Sequence, residues 1–414
     1  MVPNGWKSYQ LSELCAKPIS YGIVQTGENI EDGIPCLRVV DMSTEKMNPN
    51  EMIKTSHEIN QAYKKTILED NEIVMALRGE VGLVRLIEAN LVGANITRGL
   101  ARISARKEII HPEYLLWELR SPRFRADLIR RVGGSALQEI SLSELRKVNT
   151  LVPSLNEQKK IAKILSTWDQ AISATEKLLG NSQQQKKALM QQLLTGRRRL
   201  GGNYGSYNFK HIKYGRIPED WNYVAIKDIC VQVSQKNSNS ADYPVLSCSK
   251  YDGFVDSLQY FNKKVYSDDT TGYRIIPRGC FGFPSNHIEE GSIGLQNIYE
   301  IGMVSPIYVI FRVSAKNIDN DYLYSVFKTD KYKQIFSAAT NASVDRRGSL
   351  RWKEFSLISV PIPPLEEQKK IAEVLSLADQ EIETLQKKLD CLKQEKKALM
   401  QQLLTGEKRV KVAA

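Results

Sequence analysis

A stretch of forty residues occurs twice in this chain. Residues 157–196 read EQKKIAKILSTWDQAISATEKLLGNSQQQKKALMQQLLTG, and residues 367–406 read EQKKIAEVLSLADQEIETLQKKLDCLKQEKKALMQQLLTG. At a constant offset of 210 positions, 25 of the 40 residues are identical, with no gap. Pro153 and Leu155 ahead of the first copy are matched by Pro363 and Leu365 ahead of the second. A solenoid needs about three repeats to bury its core, whereas a period this long suits a whole domain plus a helix. The expected chain is two half-proteins, each a globular domain followed by the same helix.

The second copy carries a heptad: Ile371, Ala378, Leu385, Leu392 and Leu399 lie seven apart, and Leu375, Ile382, Leu389 and Leu403 form a second series. That spacing draws one stripe along an α-helix, the seam of a coiled coil. The first copy has Ile161, Trp168, Thr175, Ser182 and Leu189 with Leu165, Ile172, Leu179 and Leu193, so Thr175 and Ser182 interrupt its seam. Gly180 weakens that helix by about 1 kcal/mol relative to Ala. Lys186 and Lys396 share one seam position, where a polar residue sets register at some cost in stability. Forty helical residues span about 60 Å, and a stripe that long needs a partner, so the two copies are expected to pack on each other. The exposed-type residues Glu157, Gln158, Lys159 and Glu367, Gln368, Lys369 repeat as faithfully as the seam, which suggests a surface for one partner bound twice.

The 414 residues suit two or three domains, and 42% hydrophobic content is that of a globular protein. No apolar run of about 18 residues and no signal-peptide pattern occurs, so no membrane association and a cytoplasmic location are expected. Six scattered cysteines without a CxxC pair point to free buried thiols. A net charge of +11 suits a polyanion partner. Between positions 177 and 218 there are nine Lys or Arg and no Asp or Glu, and residues 197–220 form a basic linker that is either solvated or in contact with phosphate. The remaining divisions are globular parts at 1–152 and about 207–362, helices at 153–196 and 363–406, and a tail at 407–414.

Both globular parts open alike, with GWKSYQLSELC from Gly5 and DWNYVAIKDIC from Asp220. Short β-type runs follow, at 34–40, 72–77 and 99–104 and at 243–248, 274–276 and 306–313, and then a helix-like stretch at 112–130 or 321–337. The middles barely align, as expected of parts that read different targets. The candidate DNA contacts are Arg38, Arg78 and Arg98 in the first part, and Lys250, Ser285, Asn286, His287, Arg346 and Arg347 in the second. Arg pairs with guanine and Asn with adenine in the DNA major groove, so these residue types suit base reading; each suits phosphate contact or plain surface charge as well.

Catalytic patterns are missing from the sequence. There is no GxxxxGK[ST], no GxGxxG after a strand, and no Asn-Pro-Pro-aromatic or Asp-Pro-Pro-aromatic tetrapeptide. The Glu-x-Lys triplets at Glu157 and Glu367 open the repeated helices, where acidic residues complement the helix dipole. His57, His111, His211 and His287 lack metal-ligand spacing. A nuclease or methyltransferase with its own active site, and a coiled-coil adaptor that binds only protein, remain as alternatives.

The Pro-x-Leu-x-Glu-Gln-Lys-Lys-Ile-Ala motif with its long helix, present at 153–196 and 363–406, resembles the specificity subunit of type I restriction-modification systems. Gly348 to Phe355, and Gly134-Ser135 through Leu145, resemble the ends of that family's target recognition domains. The resemblance implies an α/β (α+β) fold of two target recognition domains, each a small twisted sheet with helices. A pair of long antiparallel coiled-coil helices would separate them with pseudo-two-fold symmetry. It further implies a chain with no catalytic site or cofactor of its own that reads a bipartite double-stranded DNA target. The helices would set the unread spacing and dock two adenine-N6 methyltransferase subunits, and two translocase-endonuclease subunits would complete the nuclease. S-adenosylmethionine, ATP and Mg²⁺ would belong to those partners.

Overall fold

The computed structural model describes residues 2–44, 46–133, 138–200, 208–238, 241–340 and 348–411. The chain divides into two compact units, and the division cuts through both repeated helices. The first unit holds residues 1–177 and 387–414; the second holds 178–386. Each therefore combines a globular part, the start of the helix that follows it, and the end of the other helix.

In the first unit a four-stranded antiparallel sheet runs in the order Ser20–Tyr21, Leu100–Ile103, Ile73–Ala76, Val84–Leu86. The central strand is buried at every residue, which is why its Ile-Val-Met-Ala reads as a continuous apolar run. Ile34–Leu37 lies between Ile53–Thr55, antiparallel, and Asn95–Ile96, parallel. Lys7–Gln10 pairs with Asn149–Val152, which closes the domain just before its helix. The second unit repeats this plan. Its four-stranded sheet has the order Cys230–Val233, Tyr308–Val313, Phe281–Pro284, Gly294–Leu295, and Asn222–Ala225 pairs with Ser359–Ile362.

Each stretch expected as one helix is two. Pro112–Arg120 ends at Ser121, whose hydroxyl accepts the Phe124 N–H and caps Pro122–Arg130. Proline at the first helical position fits a new start, because its missing N–H would go unpaired there anyway. In the second unit Asn320–Phe327 gives way to Asp330–Ala339, capped by Thr329 through the Tyr332 N–H. Tyr114 and Tyr322, on the first helix of each pair, are buried and donate their hydroxyls to Leu151 O and Pro361 O, both at 2.9 Å. Of the cysteines, Cys391 is exposed on the second repeated helix, contrary to the expectation of burial.

The repeated helices, Leu155–Leu193 and Leu365–Leu404, run antiparallel within each unit. In the first, Asp169 pairs with Lys396 and Glu176 with Lys393. In the second, Asp379 pairs with Lys186, and Glu381 accepts from Ser182 at 3.2 Å. The polar seam residues are thus satisfied: Ser182 across the seam, and Thr175 on Ala171 O, four residues back, at 2.8 Å. Both seam lysines find the same aspartate, 210 positions apart.

The start of each helix is locked in the same way. Gln158 donates to Ile109 O and Pro153 O at 2.9 Å and accepts the His111 N–H at 2.7 Å. Gln368 donates to Asn317 O and Pro363 O at 3.0 and 2.9 Å and accepts the Asp319 N–H at 2.9 Å. Beside them, Glu367 is gripped by Arg199 through two bonds of 2.8 Å and by the Trp221 indole at 3.2 Å. Glu157 is gripped by Arg409, at 2.6 and 2.8 Å. Each arginine lies just beyond the end of the helix that arrives from the other copy. Asp220 adds a second carboxylate to Arg199; Gly5 holds the matching place in the first unit, and Arg409 donates to Asn4 O instead.

The Arg199 side chain is 2% exposed and that of Arg409 is 47% exposed. Glu367→Ala leaves the buried Arg199 guanidinium with Asp220 alone and the Trp221 indole without its acceptor, and should cost about 2–3 kcal/mol. Glu157→Ala leaves an arginine that can regain water and should cost about 1 kcal/mol. Urea unfolding monitored by tryptophan fluorescence measures both; equal losses would contradict the difference in burial.

Candidate nucleic-acid interface and partner surfaces

In the first unit three loops converge beyond the ends of the sheet strands. Leu77, just after Ile73–Ala76, donates its N–H to Gly99 O at 2.8 Å and accepts the Ile140 N–H at 2.9 Å. The chain then turns outward at Arg78, which is exposed, through Gly79 at φ +72. Gly99 has no side chain to block it: a Cβ there would sit 3.1 Å from Arg78 Nε and 3.3 Å from a methyl of Val39. Arg98, next to Gly99, is also exposed. Among the described residues neither Arg78 nor Arg98 has a side-chain hydrogen bond or ion pair. Arg38 differs: both its side chain and its N–H bind Asp41, at 2.8–3.0 Å, so its charge is already partnered.

In the second unit Ser285 follows Phe281–Pro284, and its backbone is held by Ile307 O at 3.2 Å and the Leu350 N–H at 2.8 Å. Asn286 comes next, half-buried, with its amide oxygen unpaired among the described residues. His287 Nδ1 lies 3.3 Å from Glu290, and Glu289 stands beside them. These three side chains bring ligand-type atoms within 4.8 Å of one another. Glu289 is half-buried with one carboxylate oxygen unpaired, and among the described residues the three lack the hydrogen-bonded outer shell that orients the ligands of a built metal site. Two carboxylates around His287 make this turn a poor phosphate contact. Lys250 lies at a hairpin tip, its ammonium 5.0 Å from the ring centre of Tyr251, which is 78% exposed. Arg346 and Arg347 lie outside the described residues, as does the Gly134-Ser135 pair.

The partner-facing set needs correction. Glu157, Gln158, Glu367 and Gln368 are 2%, 0%, 1% and 0% exposed and bind within the chain. Their repetition preserves an internal lock. Lys159 and Lys369 alone of the six point to solvent. Arg199 is likewise withdrawn from the basic linker as a phosphate contact by Glu367 and Asp220.

A duplicated outer surface does exist, further along the helices. Residues 186–196 and 396–406 form an unbroken identical block, and within it Lys187, Ala188 and Gln191, with Lys397, Ala398 and Gln401, are exposed in both copies. Each block lines a groove against the two-helix corner of its unit. In the second unit Lys186, Lys187 and Met190 face Lys328, Thr329 and Asp330 across a cleft of about 420 Å³. In the first, Lys396, Lys397 and Met400 face Arg120 and Pro122 across about 370 Å³. Arg120 and Lys328 end equivalent helices, so the grooves match on both walls. Burial depresses the Lys328 ammonium below its ordinary pKa; Cys248 and Asp252 only partly oppose this, and Lys186 and Lys333 add to it. The signal for these grooves was present in the sequence, in identity that continues past the seam positions.

Comparison with known proteins gives these features a family. The family described as the type I restriction modification DNA specificity domain matches residues 3–180 and again 218–394. The EcoBI specificity subunit of Escherichia coli is 29% identical over 196 residues, 47% of this chain and 41% of that protein. The MjaVIII specificity subunit of Methanocaldococcus jannaschii is 25% identical over 84% of this chain and 81% of its own length. The crystal structure of the type I restriction-modification S subunit from M. genitalium shares the fold, with a TM-score of 0.58 over 98% of both chains at 15% identity. With both of its halves matched in turn, the chain belongs to the type I restriction-modification DNA specificity family.

Proposed function

We propose that this chain reads a split double-stranded DNA target, one half-site with each recognition domain, and directs methylation and cleavage of that DNA by partner subunits. It is a specificity subunit and is itself non-catalytic. The observation that carries the reading is the double occurrence of one scaffold, in which a strand end and a pinned residue recur, and each unit also has a matched groove. A basic chain with a net charge of +11 fits a polyanion. Base reading falls to Arg78 and Arg98 in the first domain and to Asn286 in the second. Lys250 and Ser285, with Arg346 and Arg347, are candidates for backbone or base contact.

The matched grooves favour one partner bound twice. By family resemblance that partner is an adenine-N6 methyltransferase subunit, which would bring S-adenosylmethionine. Two translocase-endonuclease subunits using ATP and Mg²⁺ would complete the assembly, and the repeated helices would set the spacing between half-sites. The cytoplasm is where such an assembly meets DNA; among the described residues no helix is long and apolar enough to cross a membrane.

The purified chain, incubated with DNA, Mg²⁺ and S-adenosylmethionine, should neither cleave nor methylate, and methyl transfer should appear when the methyltransferase subunit is added. Activity of the chain alone would overturn the division of labour. For the grooves, Lys187→Glu and Lys397→Glu should each lower the methyltransferase count from two to one, and the double variant to none, in native mass spectrometry. Exposed substitutions of this kind shift stability by about 0.5 kcal/mol or less. A double variant that still carries two methyltransferase subunits would remove the grooves as docking sites.

A further inference from the structure

The two domains differ most in the loops between their shared elements, yet one loop residue can be matched between them. In the first unit Ile73–Ala76 pairs with Leu100–Ile103, with Ile73 opposite Ile103 and Ala76 opposite Leu100. In the second, Phe281–Pro284 pairs with Tyr308–Val313, with Phe281 opposite Phe311 and Pro284 opposite Tyr308. The residue after each strand is pinned by the same two backbone bonds. Leu77 donates to Gly99 O and accepts from Ile140 N; Ser285 donates to Ile307 O and accepts from Leu350 N. The residue that follows each pinned one is Arg78 or Asn286. Strand, register and the two closing bonds agree, and the chains diverge only from the emerging residue onward.

Both side chains keep polar groups without a partner among the described residues. The Arg78 guanidinium is exposed with no bond among the described residues, and the glycine at 99 leaves room for it. Asn286 is half-buried, and its amide oxygen, shielded from solvent, lacks a donor among the described residues, so the side chain gains a hydrogen bond by turning that oxygen out to a base edge. The surroundings also differ in a consistent way. Arg78 stands near the exposed Arg98, whereas Asn286 adjoins the Glu289–Glu290 carboxylates, where a neutral amide suits a base edge better than a cation suits a phosphate. An arginine fork fits the O6 and N7 acceptors of guanine, and an amide fits N6 and N7 of adenine.

We propose that Arg78 and Asn286 are one reading position used twice, selecting guanine in the first half-site and adenine in the second. The inference rests on the bipartite reading above and adds that residue identity, on a common scaffold, chooses the base. The test uses the full chain with its methyltransferase subunit and a library of double-stranded targets, scored by adenine methylation. Arg78→Asn should convert one base pair of the first half-site from guanine to adenine, with about a tenfold change in preference, and leave the second half-site unchanged. Asn286→Arg should make the opposite conversion in the second half-site alone. Arg78→Gln is a second route to adenine should the shorter side chain fall short of the base. Arg78→Ala should erase preference at that one position.

Active variants that keep the parent preference at every position would overturn the proposal. So would uniform weakening on all targets with a shallower salt dependence, which marks a phosphate contact. If the unsubstituted complex methylated one continuous motif, the bipartite reading itself would fall, a result distinct from either of these.

Discussion

The structure depends on a carboxylate held by a guanidinium at the root of each long helix. Glu367 and Glu157 sit at the first turn of their helices, nearly out of water, and a buried carboxylate is costly unless paired and hydrogen-bonded. The partner arrives from the far end of the other helix, as Arg199 in one unit and Arg409 in the other. Each helix is therefore fixed at its start to its own domain, through Gln158 or Gln368, and at its end to the opposite one. Leu193 and Leu194 enter the core of the second unit, and Leu403 and Leu404 that of the first. A geometry that demands the same polar residues at both roots explains why the chain preserves Glu-Gln twice.

That lock also shows why one part of the sequence misled. Glu, Gln and Lys in a row read as solvated surface because such residues are seldom fully buried. Here two of every four are internal, and nothing local distinguishes them from the two that are not. The seam was legible, and so was the shared seam position of Lys186 and Lys396; their partners Asp379 and Asp169 lie elsewhere along the helices. The break at Ser121-Pro122 was readable from proline at a helix start. The break at Thr329 has only a capping threonine to announce it.

Recognition chemistry was partly legible. Arg78 between a strand and a glycine pointed to an outward side chain, and the structure puts it there. Arg38, inside a β-type run, is committed to Asp41 three residues on, and His287 has Glu290 beside it, a neighbour already visible in its sequence position. The match between Arg78 and Asn286 could not be read at all, because the intervening loops differ in length and only strand register aligns them. Two domains can thus keep the two backbone bonds that pin the root of a reading loop while the side chain it presents is free to vary.

The central claim is that one fold, used twice, reads two separated half-sites. Mapping N6-methyladenine across the genome of a cell carrying this chain with its methyltransferase subunit tests it most directly. The account predicts a single asymmetric motif of two short specified segments separated by a fixed run of unspecified base pairs. A continuous motif, or methylation with no sequence preference, would contradict it.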